Sequence, residues 1–300
     1  MSGWIVENAG TEAGARLALI LALVAAFLHA VFGALQKGRH DPLLARGAID
    51  AAYCVMAAPF AFFVVPWPEP HMWPIFLGVF VIHAGYKWAT LLSYRRGAFT
   101  VVYPVMRGTA PLFTVVGAWL LFGELFNGVQ WLGVAVLLAG LYGLAAFNMA
   151  RLTVARDTLI PALGFAVLTG LFVALYTTFD AYGIRATADP FTFLAWFFFI
   201  DGLLFPILAA RYYLRLPDPP TLIPLAARGL VGGLVAFASF GSIMLATRLD
   251  QVGEAAVLRE TSTVFAALIG WLFLNEKVGP VRAGLMALIA LGAVIVEMGG

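Results

Sequence analysis

Charge is scarce in this chain. Among 300 residues there are 18 Lys or Arg and 16 Asp or Glu, 11% in all, where average domains carry about a quarter. So few charged side chains cannot cover the surface of a water-soluble fold of this length. Cysteine is scarcer still. Cys54 stands alone, which excludes a disulfide framework and a cysteine-based metal site. No cluster of His, Asp and Cys at ligand spacing occurs, so no metal is expected. No GxxxxGK[ST] loop occurs either, which argues against direct ATP coupling, and no cofactor is expected. The net charge of +2 comes from scattered basic residues, so nucleic acid is not an expected partner. Disorder is excluded by the 62% apolar content. What remains is an all-α polytopic membrane protein whose partner is the lipid bilayer.

A spanning helix takes about 20 apolar residues. Runs of that kind predict ten transmembrane helices, near 16–36, 43–65, 72–94, 100–122, 129–148, 159–179, 191–210, 221–246, 255–274 and 281–298. Short connections leave no room for a soluble domain. Residues 1–15 form a tail with Glu7, Glu12 and no basic stretch, unlike a cleaved signal peptide. Orientation follows from the basic residues. The odd connections hold ten: Lys37, Arg39, Arg95, Arg96, Arg151, Arg156, Arg211, Arg215, Lys277 and Arg282. The N-terminus and even connections hold three: Arg16, Arg185 and Arg248. The positive-inside rule then places both termini on the periplasmic side of a bacterial inner membrane.

Offset by 152 residues, the chain aligns with itself. Arg107-Gly-Thr-Ala-Pro-Leu-Phe113 falls on Arg259-Glu-Thr-Ser-Thr-Val-Phe265. Trp119-Leu-Leu-Phe-Gly-Glu124 falls on Trp271-Leu-Phe-Leu-Asn-Glu276, and Gly140 on Gly292. With a small gap, Asp41-Pro42 and Asp50 match Asp189-Pro190 and Asp201. The organisation expected is a first repeat over 16–150 and a second over 151–300, five spans each. An odd span number turns the second repeat upside down in the membrane, and the basic residues reverse accordingly. Two inverted five-helix repeats are the architecture of alternating access.

These stretches resemble the EamA-type branch of the drug/metabolite transporter superfamily. The likeness runs from about Leu17 to Val296 and is most specific at Leu28-His29-Ala30 with Lys37, at Val102-Tyr103-Pro104 with Arg107, and at Leu258-Arg259-Glu260-Thr261-Ser262. These pieces look like the bacterial subgroup that includes phosphonate-utilisation-associated membrane proteins, and depart from it at Phe32 and Gly33. The resemblance implies a transporter of small molecules and leaves the cargo open. It also implies cytoplasmic termini in many relatives, against the charge count.

A charged side chain at mid-bilayer costs at least about 2.5 kcal/mol, so each one needs a reason. Arg107 and Arg259 are repeat-related and deep. They either form structural pairs, Arg259 with Glu260 or Glu254 and Arg107 with a carbonyl, or together frame an anionic group. His83 and Lys87 share a helix face with Thr90, and Tyr103 shares one with Arg107, with Pro104 between them as a hinge or a plain kink. His29 lies on a stripe with Phe32 and Gln36, and Tyr176 on one with Asp180; the resemblance turns both stripes toward a central cavity. The expected cargo site is therefore His29, His83, Lys87, Tyr103, Arg107, Tyr176 and Arg259, offset by Asp180 and Glu260. Asp50 and Asp201 are either packing acids, Asp201 with Arg228, or proton-coupling groups. Gly229 with Gly233, and Ala135, Ala139 and Gly143, are expected close-packing stripes. Glu124 and Glu276 are expected turn anchors or caps, and Trp67, Trp73 and Trp131 interface anchors.

The function this predicts is a secondary transporter for a small polar metabolite, amino-acid-like or organic-acid-like, working in export. The alternatives are an uptake permease or exchanger for a phosphonate, nucleotide derivative or amine. An intramembrane enzyme lacks a nucleophile–base pair, and a receptor-like scaffold leaves the paired arginines idle. Monomer and homodimer both stay open.

Overall fold

The computed structural model describes residues 2–36, 41–96, 99–150, 156–274 and 279–300. Lys37, Arg39, Arg151, Glu276 and Lys277, invoked above for orientation, family likeness or capping, lie outside the described residues. Among those residues there is no strand. In chain order the helices are α1 Ser2–Glu7, α2 Glu12–Gln36, α3 Pro42–Phe63, α4 Met72–Arg96, α5 Phe99–Phe122 and α6 Gly128–Met149. There follow α7 Arg156–Ala186, α8 Pro190–Asp201, α9 Leu204–Tyr213, α10 Leu222–Leu249, α11 Val252–Arg259, α12 Ser262–Leu274 and α13 Pro280–Gly299.

Nine stretches among the described residues are long and apolar enough to cross a membrane, with α8 and α9 together forming one of them. This is an all-α, multi-pass membrane protein. Two expected spans differ, and the first is the run at 191–210, which is broken at Gly202-Leu203 between α8 and α9. The run at 255–274 is laid down as two helices, α11 and α12, with a turn at Glu260-Thr261 between them. Glu260, Thr261, Ser262 and Thr263 interrupt the apolar sequence there, and such side chains compete for backbone groups. Thr261 Oγ1 does so directly, donating to the Leu258 carbonyl at 2.6 Å. By contrast α5 runs unbroken through Pro104 and Pro111.

Helix starts follow local chemistry. Asp41 accepts from the Leu43 and Leu44 amides with Pro42 at the first helical position of α3. Asp189 accepts from Phe191 with Pro190 opening α8. The two repeat-related Asp-Pro pairs thus perform the same capping task. Asn127 and Gln130 form a reciprocal capping box on α6. At the end of α5, Gly123 adopts φ +69°, the left-handed conformation that glycine takes without strain.

The chain divides into two compact units, and each draws helices from both sequence halves. The first comprises 1–84 and 180–250, the second 85–179 and 251–300. Helices α4 and α7 therefore contribute to both. Within the first unit α10 packs on α2 and α3, and α3 on α8 and α9; within the second α13 packs on α6 and α11 on α5. Several of these partners are repeat equivalents.

Glycine sets the close approaches. A Cβ at Gly229 would lie 2.6 Å from the Ala48 carbonyl, and one at Gly233 2.7 Å from Ala52 Cβ, so the expected stripe does bring α10 onto α3. On α6 only Gly143 of the expected stripe meets α13, where a Cβ would lie 2.6 Å from Leu285 Cδ2. Gly133 and Gly140 face the α13 backbone, where a Cβ would come 2.7 Å from the Gly292 carbonyl and 2.8 Å from the Leu285 carbonyl. Ala135 and Ala139 are exposed instead. Helical spacing alone cannot say which of two small-residue faces meets a neighbour. Trp67, Trp73 and Trp131 are all exposed near helix ends, and the first two pack their rings against Trp196.

Candidate functional site

The second unit builds a site around the interruption between α11 and α12. All eight residues of α11 are buried, and a helix that short has most of its backbone polar groups at its ends. Side chains from around α5 supply the partners. Glu124, just past α5, accepts from the Val252 amide at 3.0 Å and the Gly253 amide at 3.1 Å. Its carboxylate offsets the positive end of the helix dipole. Glu124 is thus a cap, as expected, but of α11. At the other end the Arg107 guanidinium donates to the Arg259 carbonyl at 3.1 Å, its own repeat equivalent. The same nitrogen donates to Ser262 Oγ at 3.1 Å, where α12 begins.

Arg107 Nε lies 2.8 Å from Glu260 Oε2, both side chains being about 95% buried or more. This buried ion pair sits in the turn itself. Arg259 donates to the Tyr176 hydroxyl at 3.4 Å, and the Tyr176 ring meets Tyr86 edge-on at 5.0 Å. Tyr103, one turn before Arg107, hydrogen-bonds Ser262. Gln130 donates to Glu254 at 2.6 Å. Glu254 therefore takes an amide partner, and Glu260 takes Arg107.

Of the expected cargo residues, Arg107, Glu260, Arg259, Tyr176 and Tyr103 converge on this turn. Lys87 is buried in the same unit on α4. His29, His83 and Asp180 belong to the first unit. There His29 lies among aromatic rings, with Phe32 at 6.3 Å and Phe240 at 6.4 Å. His83 Nε2 lies 2.9 Å from Asp180 Oδ2, and His83 Nδ1 3.7 Å from Asp201 Oδ1. Asp201 also accepts from the Tyr53 hydroxyl at 2.6 Å, so its partners are Tyr53 and His83 where Arg228 was expected. Asp50, fully buried, pairs with Arg46 at 2.7 Å. Sequence reasoning missed Ser262, Tyr86, Gln130 and Tyr53. Ser262 was signalled by the polar run after Arg259, and Tyr86 by its place beside Lys87. For Gln130 and Tyr53 the partners lie 124 and 148 residues away, and no local pattern marks them.

Helices long and apolar enough to cross a membrane that also bury the Arg46–Asp50 and Arg107–Glu260 ion pairs make up a multi-pass membrane protein. The chain matches the EamA-like transporter family twice, over residues 16–146 and 160–298, and it belongs to that family of membrane transporters. No curated protein matches it. A solved crystal structure, described only as that of a protein, is similar in fold, with a TM-score of 0.76 at 18% identity over 96% of this chain and 98% of that one.

Proposed function

We propose that this chain is a secondary transporter that exports an amino-acid-like solute across the bacterial inner membrane by alternating access. The observation that carries this is the buried Arg107–Glu260 pair at the turn between two half-helices. Interrupted helices of this kind place backbone polar groups, with their dipoles, beside a solute at membrane depth. With the site empty, guanidinium and carboxylate neutralise one another. A zwitterion can replace that pair without changing the net charge, its carboxylate taking Arg107 and its ammonium taking Glu260. A simple organic acid is the competing cargo, since Arg259 brings a second buried guanidinium to the same turn to offset Glu260. The same arithmetic disfavours a plain amine. In this reading α11 and α12 together complete a tenth crossing, and the repeats 16–150 and 151–300 are inverted.

Counterflow in proteoliposomes tests the function. Vesicles loaded with an unlabelled mixture of neutral L-amino acids are expected to accumulate external 14C-labelled mixture transiently above equilibrium. Uptake no greater than in protein-free vesicles would end the proposal. Accumulation of labelled succinate in place of amino acids would retain the carrier and overturn the zwitterion.

The charge count favours periplasmic termini. Ser2→Cys, in a chain whose half-buried Cys54 is replaced by serine, is expected to react in intact cells with a membrane-impermeant maleimide. Labelling seen only after lysis would place the N-terminus in the cytoplasm.

A further inference from the structure

Three buried threonines on these helices dispose of their hydroxyls in one way. Thr109, Thr114 and Thr178 donate to the carbonyls of Val105, Ala110 and Ala174, one turn back, at 2.8, 2.9 and 2.9 Å. A hydroxyl buried without a partner loses water and gains nothing in return, so a helical threonine commonly bonds backward in this manner. Thr263, in the first turn of α12, breaks the pattern. It is 6% exposed, and its Oγ1 has no hydrogen-bond partner among the described residues. The carbonyls one turn back from it are those of Arg259 and Glu260, and both are engaged. The first accepts from Arg107 Nη2 at 3.1 Å and the second from the Thr263 amide at 3.0 Å.

The same bonds set the hydroxyl's place in the turn. The Thr263 amide reaches back three residues to Glu260, and such a turn stacks side chains i and i+3 on one face. Side chains of a helix also lean toward its N-terminus. Thr263 therefore stands over the turn on the side of Glu260, whose carboxylate holds Arg107 at 2.8 Å. Arg107 reaches the start of α12 as well, through Ser262 Oγ at 3.1 Å. Carbonyls of the turn already take the amides of Thr263, Val264 and Phe265, so a ligand here meets hydroxyl and guanidinium before backbone. Helix α12, 13 residues long, still points the positive end of its dipole at the turn. A guanidinium, a helix N-terminus and an unspent O–H donor together fit an oxyanion.

We propose that Thr263 is a specificity-determining residue of the cargo site, and that its hydroxyl donates to the cargo's carboxylate, seated between Arg107 and the start of α12. This role rests on the transporter function proposed above. It holds for a zwitterion and for an organic acid alike, since both carry that group. Bound cargo supplies the acceptor that the protein does not, so the buried donor is satisfied only by a molecule with an oxygen to offer it. A site built in this way discriminates strongly against an analogue that lacks the matching group.

Thr263→Val removes the hydroxyl and keeps the branched side chain. In counterflow of the 14C-labelled neutral L-amino acids, its half-saturating concentration is expected to rise about tenfold or more, the factor for one hydrogen bond to a charged group. Thr263→Ser, which keeps the hydroxyl, should stay close to wild type. Unlabelled amides of the same amino acids carry a neutral group in place of the carboxylate. As competitors they should be weaker than the acids in wild type, and the gap should narrow in Thr263→Val. The melting temperature in detergent without cargo should not fall in Thr263→Val, because no hydrogen bond within the protein is lost. A fall that Thr263→Ser restores would make the hydroxyl structural and overturn the proposal. An unchanged half-saturation, or an unchanged preference for the acids, would overturn it too. If Thr263→Val does not elute as a folded protein, Thr263→Ala takes its place in the transport measurements. Absence of counterflow in wild type would remove the transport function and this role with it; wild-type counterflow with an indifferent Thr263→Val removes the role alone.

Discussion

Replacing Arg107 by glutamine is expected to abolish counterflow and to destabilise the protein by about 3–5 kcal/mol, since it strands a buried carboxylate. Arg107 serves the Glu260 carboxylate, the Arg259 carbonyl and Ser262 at once. Glutamine keeps one amide donor and none of the charge. The two losses are separable. In Arg107→Gln combined with Glu260→Gln neither charge is left unpaired, so part of the stability lost should return while transport stays absent. Thermal unfolding in detergent reads the first quantity and counterflow the second. Arg259→Gln should weaken counterflow in the same direction, by removing the donor to Tyr176. Normal transport by Arg107→Gln would exclude the turn as the cargo site. An undiminished melting temperature would show that the ion pair contributes no net stability.

Much of this architecture is legible from the residues because lipid is a demanding solvent. Backbone groups there must be satisfied within the segment, so long apolar runs become helices and the runs can be counted. The Asp41-Pro42 and Asp189-Pro190 pairs mark helix starts by short-range chemistry alone. Arg107, Arg259 and Glu260 stand out because an ion at membrane depth is rare. What stays hidden depends on facing. Both sides of a membrane helix are apolar, so hydrophobic periodicity does not show which side meets protein. Gly133 and Gly140 were therefore indistinguishable from the exposed Ala135 and Ala139. The same ambiguity hid the pairing of His83 with Asp180, which the first unit makes at 2.9 Å. The break after Arg259 escaped because the apolar run resumes beyond four polar residues, and average hydropathy passes over so short an interruption.

Gly292→Ala is expected to cost about 1–3 kcal/mol or more, the scale of overpacking in a filled core, and to leave a protein that aggregates on solubilisation. A Cβ there would collide with the Leu137 backbone nitrogen and come 2.6 Å from the Gly133 carbonyl, so the obstruction is backbone on a neighbouring helix. No rotamer change relieves it; α13 would have to move away from α6. Its repeat equivalent Gly140 meets the same kind of obstacle, with the Leu285 carbonyl at 2.8 Å from the Cβ position. Gly284 supplies the control. It lies on the same helix, α13, with nothing within 4 Å of where its Cβ would stand. Gly284→Ala should therefore gain up to about 1 kcal/mol from helix propensity and a restricted unfolded chain. Melting temperatures of the two variants in one detergent make the comparison. Equal and small effects would show that α6 and α13 are not in backbone contact at Gly292. Opposite signs would establish that the repeated glycine holds the two helices at the distance the structure gives.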